Sequence, residues 1–142
     1  MTITTGRTPA GYSGTPLAKK LGIVAGSRVL AIGQPADYET LLAPLPERVE
    51  FTSRASDAVD VAHVFVVRSA DLNRHLARLR RQLRANATVW VSWPKKASGV
   101  ASEVTEDTVR EAGLPLGFVD VKVCAVSDVW SGLKLVVRKS LR

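Results

Sequence analysis

The chain has 142 residues, with 20 Lys and Arg against 13 Asp and Glu, a net charge of +7 and a pI near 10.1. A single cysteine excludes an internal disulfide framework, and no apolar run approaches the ~20 residues that a membrane span requires. The length suits one domain that buries about 68–70% of its unfolded surface without a metal or cross-link, and the positive balance makes nucleic acid or another polyanion, not a membrane, the partner class to expect.

Residues 1–14, MTITTGRTPAGYSG, hold no signal-peptide core and are expected to form a flexible arm ahead of one α/β domain over residues 15–142, in the cytoplasm. Thr15 suits a helix N-cap, Pro16 the first helical position, and Gly22 the left-handed residue past its end, after which Ile23 folds back. Ala25-Gly26-Ser27 turns the chain into Arg28–Ile32, a short apolar run of the kind covered on both faces in a parallel sheet. Gly33 ends that strand where a ligand could come close. Residues 35–42 predict a short helix stopped by Pro44 and Pro46, and residues 49–52 a brief second strand.

The polar residues 53–60 are too few for a helical crossover. Val61–Val67 predicts a central buried strand, and Ser69 is placed to cap the longest helix, whose Leu72, Leu76, Leu79 and Leu83 form one apolar stripe. Thr88–Trp93 predicts the next strand, with Pro94–Gly99 as the loop at its C-terminal end. Thr105 caps a helix over residues 105–112 that Gly113 and Pro115 end, and residues 119–126 and 133–137 predict a hairpin turning over 127–132. Strands alternating with helices before a terminal antiparallel pair indicate a three-layer Rossmann-like fold. Its sheet has about six strands, mostly parallel, with a C-terminal antiparallel hairpin.

Particular residues carry a resemblance. KKLGIVAGSRVLAIG resembles the entry of class I methyltransferase-like domains, and VDVAHVFVV followed by LRRQLRANATVWVSW resembles the fourth strand, next helix and fifth strand of that fold. On that mapping a helix–strand–helix portion is missing at residues 53–60, and the remaining link must pass over the first strand. Extended, it reaches at most about 26–29 Å, just enough for ~10 Å across one strand and ~17 Å back along it. GYSGTPLAKKLGI, WVSWPKKASGV, VDVKVCAV and VWSGLKLVVRK together resemble the bacterial family known as domain of unknown function 3052, which brings no established activity.

The methyltransferase resemblance implies a glycine-rich turn after the first strand and an acid ending the second, to hold S-adenosylmethionine. Here the turn reads GQPADY, with one Gly and a proline, and the second strand ends Phe51-Thr52-Ser53, with Glu50 one position off and so on the opposite face. Both departures argue against that cofactor, and no cofactor is expected. His63 in an apolar strand and His75 beside Leu76 read as core or surface histidines, and Cys124 as an inert thiol. No nucleophile elbow, zinc spacing or Walker loop is present, so no catalytic or metal residue is assigned.

The basic and aromatic loops are the remaining candidates. Gly33, Trp93, Lys95, Lys96 and Ser98, with Trp130, Ser131 and Lys134 of the hairpin, could gather around a phosphate-bearing group at the sheet's C-terminal edge, unless the tryptophans close the core and the lysines only keep a loop soluble. Arg74, Arg78, Arg80, Arg81 and Arg84 on the long helix form either a solvated face or a dock for a polyanion. The leading expectation is a non-enzymatic module that binds nucleic acid, a nucleotide or an acidic protein. The alternatives are a small methyltransferase-like enzyme with a rebuilt pocket, and a structural or oligomerisation protein.

Overall fold

The computed structural model describes residues 14–142. The arm expected over residues 1–14 therefore lies, Gly14 apart, outside the described residues. The chain runs α1 (Leu17–Lys20), β1 (Arg28–Ile32), α2 (Tyr38–Leu42), β2 (Glu50–Thr52), β3 (Val61–Phe65), α3 (Ser69–Gln82), β4 (Thr88–Pro94), α4 (Glu106–Gly113), β5 (Phe118–Ala125) and β6 (Trp130–Val137). The six strands form one sheet in the order β2-β1-β3-β4-β6-β5. β2, β1, β3 and β4 are parallel neighbours, while β6 joins β4 antiparallel and β5 closes the hairpin. No described helix is long and apolar enough to cross a membrane.

Two apolar cores follow from strand alternation. On one side of the sheet, Leu72, Leu76 and Leu79 of α3 and Val109 of α4 pack on Val64, Val91, Trp93 and Leu133, as the leucine stripe predicts. On the other, Leu21 and Ile23 at the end of α1 and Tyr38 and Leu42 of α2 cover Val29, Phe65 and Trp90. The Trp90 indole donates to the Leu21 carbonyl at 3.0 Å, which fixes α1 to the sheet.

That four-residue helix is held mainly by its exit. Gly22 sits at φ +80°, its N–H donates to the Lys19 carbonyl, and the Ile23 N–H reaches the Ala18 carbonyl at 2.9 Å, the paired bonds of a Schellman ending. Pro16 occupies the N-cap position instead of the first helical one, and no side chain caps the start, so Thr15 does not serve as cap. Thr105 does: its hydroxyl accepts the Thr108 N–H while the Thr108 hydroxyl accepts the Thr105 N–H.

The link over residues 53–60 passes β1 without a helix, as its reach allows. Ala55 and Val59 pack into the α3 side of the core. The link is latched at the far end of the sheet, where Asp60 exchanges bonds with the Arg28 backbone and receives the Arg84 guanidinium. Elsewhere the structure shifts boundaries. α2 starts at Tyr38 because Pro35–Asp37 forms a turn closed by the Tyr38 N–H on the Pro35 carbonyl. The strand expected over 61–67 ends at Phe65, although the Val66 N–H still reaches Ser92. Lys96–Ser98 is a 3₁₀ turn, and β6 begins at Trp130, since the Ser127 hydroxyl accepts the Val129 and Trp130 N–H groups and tightens the turn to 126–129. Ser69 is the first residue of α3 and not its cap: Arg68 precedes it with no capping oxygen, and the Glu103 carboxylate accepts the Ser69 N–H at 2.9 Å.

Candidate functional site

Open parallel sheets bind ligands at the C-terminal ends of their strands, and that edge is built here from four segments. After β1, Gly33 takes φ +70°, and a Cβ on it would stand 2.7 Å from the Phe65 carbonyl oxygen. The backbone of the neighbouring strand fills the space beside this glycine where a side chain would stand. After β2, the Thr52 hydroxyl accepts the Arg54 N–H at 3.1 Å, and no acid stands there. Glu50 lies at the opposite end of the strand in a 2.8 Å ion pair with Arg28. After β3, the Glu103 N–H donates to Val67 at 2.8 Å, so the segment preceding α4 closes over the start of α3.

After β4, the Lys95 N–H donates to the Val129 carbonyl at 2.7 Å, tying the lysine loop to the hairpin turn. The Ser98 hydroxyl donates to the Lys95 carbonyl at 2.6 Å, a bond that shapes the turn. Four cations then occupy one edge: Arg54 after β2, Arg68 after β3, and Lys95 and Lys96 after β4. Among the described residues none of them makes an ion pair, and all but the half-buried Lys95 are exposed. Sequence reasoning reached the lysines through the strand-end rule. It missed Arg54 and Arg68, whose signal was the same: each follows a strand closely.

The loop residues expected to surround a ligand do not converge. Trp93 is buried in the core beneath α3 and α4, and Ser131, directly opposite it, shares that side. Trp130 packs edge-on against Phe65 with ring centroids 5.0 Å apart on the other side, where Lys134 also lies, opposite Trp90. The five arginines expected on the long helix divide too, and Arg84 lies outside α3, which ends at Gln82 with Leu83 as its C-cap. Arg74, Arg78 and Arg81 are exposed, but Arg80 donates to the Leu116 carbonyl and Arg84 to Asp60 and the carbonyls of Asp57 and Val59, so these two serve the fold.

Beneath the edge lies a buried polar chain. The Tyr38 hydroxyl and His63 Nδ1 are 2.8 Å apart, and His63 Nε2 is 2.7 Å from the Ser92 hydroxyl. With both imidazole nitrogens engaged by hydroxyls, one accepts and the other donates, which suits a neutral ring. Complete burial pushes the His63 pKa down to about 3, and burial raises the Tyr38 hydroxyl above its ordinary value. His63 also stacks on Phe65 at 4.2 Å, linking α2 to Trp130 through aromatic contacts. It is the core histidine that the apolar strand suggested. Its hydroxyl partners were not anticipated, although a serine inside TVWVSW was a sign of one.

A cleft of about 600 Å³ opens between α1, α2 and the hairpin turn, lined by Leu17, Lys20, Thr40, Leu41, Pro44 and Val129 among others. None of the loop residues singled out from the sequence lines it. Cys124 is half-buried near its rim, and burial raises its thiol pKa against the opposing pull of Lys20 and Lys122, so it stays protonated at neutral pH. Among the described residues no group of three His, Cys, Asp or Glu side chains could hold a metal.

Comparison with known proteins places the fold. The family described as "Protein of unknown function (DUF3052)" matches residues 18–139. No curated protein matches the chain. A SAM dependent methyltransferase from Aquifex aeolicus superposes with a TM-score of 0.65 at 15% identity, over 86% of this chain and 88% of that one. Geranyl diphosphate C-methyltransferase from Streptomyces coelicolor A3(2) gives 0.60 at 10% identity, over 86% and 77%. These superpositions show a shared methyltransferase-like Rossmann fold, and at identities this low they show the fold alone.

Proposed function

The chain belongs to the DUF3052 family of proteins of unknown function, and we propose that it is a non-enzymatic module that binds an anionic partner at the C-terminal edge of its sheet. The observation that carries this reading is the set of Arg54, Arg68, Lys95 and Lys96 after β2, β3 and β4 at one edge of the sheet, without ion-pair partners among the described residues. Cations so placed hold a polyanion by point charge and release its counterions. S-adenosylmethionine does not fit the same edge. The Phe65 carbonyl stands against Gly33, and β2 ends without a carboxylate for ribose hydroxyls.

The test is equilibrium binding of long-chain polyphosphate to the chain across a salt series, beside a calorimetric titration with S-adenosylmethionine. Polyphosphate affinity that falls steeply with salt, with no saturable heat from S-adenosylmethionine, supports the module. A second reading, a small enzyme of methyltransferase ancestry with a rebuilt pocket, draws on the 600 Å³ cleft and the fold of its structural neighbours. Saturable S-adenosylmethionine binding selects it instead.

A further inference from the structure

We propose that β5 is an acceptor edge for an extended, acidic and aliphatic strand of another protein, a surface distinct from the rim of strand-end cations. β5 is the last strand of the sheet and, among the described residues, pairs only with β6, so its outer edge offers backbone groups along Phe118–Ala125 that no other described strand pairs. β2, at the opposite end of the sheet, spans only Glu50–Thr52. β5 also exposes apolar side chains: Val121 is 52% and Val123 48% accessible.

Charge decides what fits. Lys122 stands directly opposite Lys134 across the hairpin, a like-charge pair that disfavours the folded strand unless an anion lies over it. Lys20 of α1 adds to the same face, since it and Lys122 both act on the Cys124 thiol. The acid of β5 does not help: Asp120 lies opposite Leu135 on the other face and receives Arg110 at 2.9 Å. A strand alternating acidic and aliphatic residues places its carboxylates over Lys122 and its aliphatic side chains beside Val123.

Other occupants fit less well. In a two-fold pairing of β5 with a second copy centred on Val121, Asp120 falls against the other copy's Lys122. The bulge between residues 120 and 122 puts those two side chains on opposite faces, so their charges cannot meet. A single-stranded nucleic acid finds no stacking platform here, because Trp90 is buried and Trp130 is packed on Phe65. The bulge and Lys122 are also the usual guards of a sheet edge. They reject neutral and basic strands and admit an acidic one.

The experiment titrates the full chain with a capped peptide of alternating Glu and Val, and separately with its Lys-and-Val counterpart, while amide exchange over residues 119–124 is followed. The Glu peptide is expected to saturate and to slow exchange there, and K122E or K134E to weaken it by about ten-fold or more, with K122Q in between. The combined R54Q/R68Q/K95Q/K96Q variant is expected to bind the Glu peptide unchanged, which separates this surface from the rim. Equal binding of the Lys peptide, protection outside β5, indifference to both K122E and K122Q, or protection of the same amides by a single-stranded oligonucleotide or by self-association overturns the proposal.

Discussion

The carbonyl oxygen of Phe65 lies 2.7 Å from the point where a Cβ on Gly33 would stand, with Gly33 at φ +70°. The glycine is required by the close approach of β3 and by its own left-handed backbone. Gly33→Ala is therefore expected to lower unfolding stability by about 1–3 kcal/mol with no ligand present. A shifted urea midpoint in the apo protein checks it, and an unchanged midpoint would return Gly33 to the list of ligand contacts.

The Tyr38–His63–Ser92 chain predicts a pH effect. The folded His63 pKa is about 3, against 6.5 for the ordinary group. Below 6.5 the unfolded chain takes a proton that the folded chain refuses. The stability associated with this site is thus complete above 6.5 and declines as pH falls towards 3, by up to about 1.4 kcal/mol per pH unit. Denaturant titrations at several pH values should show a steeper loss for the wild type than for His63→Gln, the comparison that removes the contribution of carboxylates. Tyr38→Phe and Ser92→Ala should each cost about 1–3 kcal/mol at neutral pH, because each leaves a ring nitrogen unpaired.

The arginines of α3 and Arg84, just past its end, should separate on substitution. Arg84→Ala removes bonds to Asp57, Val59 and Asp60 and frees the link over β1. A loss of about 1–2 kcal/mol is expected, allowing for its partial exposure. Arg78→Ala and Arg81→Ala should stay within about 0.5 kcal/mol. Thermal unfolding of the three variants checks the division.

The start of α3 offers a fourth test. Glu103→Ala removes the carboxylate that accepts the Ser69 N–H and should cost about 0.5–2 kcal/mol, whereas Ser69→Ala should change stability by no more than about 0.5 kcal/mol. The reverse order of effects would restore Ser69 as the cap.

Much of the scaffold was legible because it is written in local chemistry. The Leu72–Leu83 stripe, the Thr105 cap, the Gly22 ending of α1 and the apolar runs at Val61 and Thr88 each declare their element. The crossover at residues 53–60 followed from the methyltransferase-like mapping, and chain reach allowed it. What stayed hidden depends on residues far apart in sequence. Nothing near Ser69 announces Glu103, nothing near His63 announces Tyr38 and Ser92, and Asp60 holds Arg84 only because the link folds back beneath β1. The candidate site was less legible still. Trp93 and Trp130 lie close in the sheet yet on opposite faces, which strand pairing decides and composition does not.

The rim account meets its most direct test in the salt dependence of polyphosphate binding by the wild type and by the R54Q/R68Q/K95Q/K96Q variant. The account predicts a linear fall of log affinity with log salt, made shallower in the variant by about one unit of slope for each phosphate contact removed. Equal slopes in the two proteins, or no polyphosphate binding by the wild type even at low salt, would contradict it.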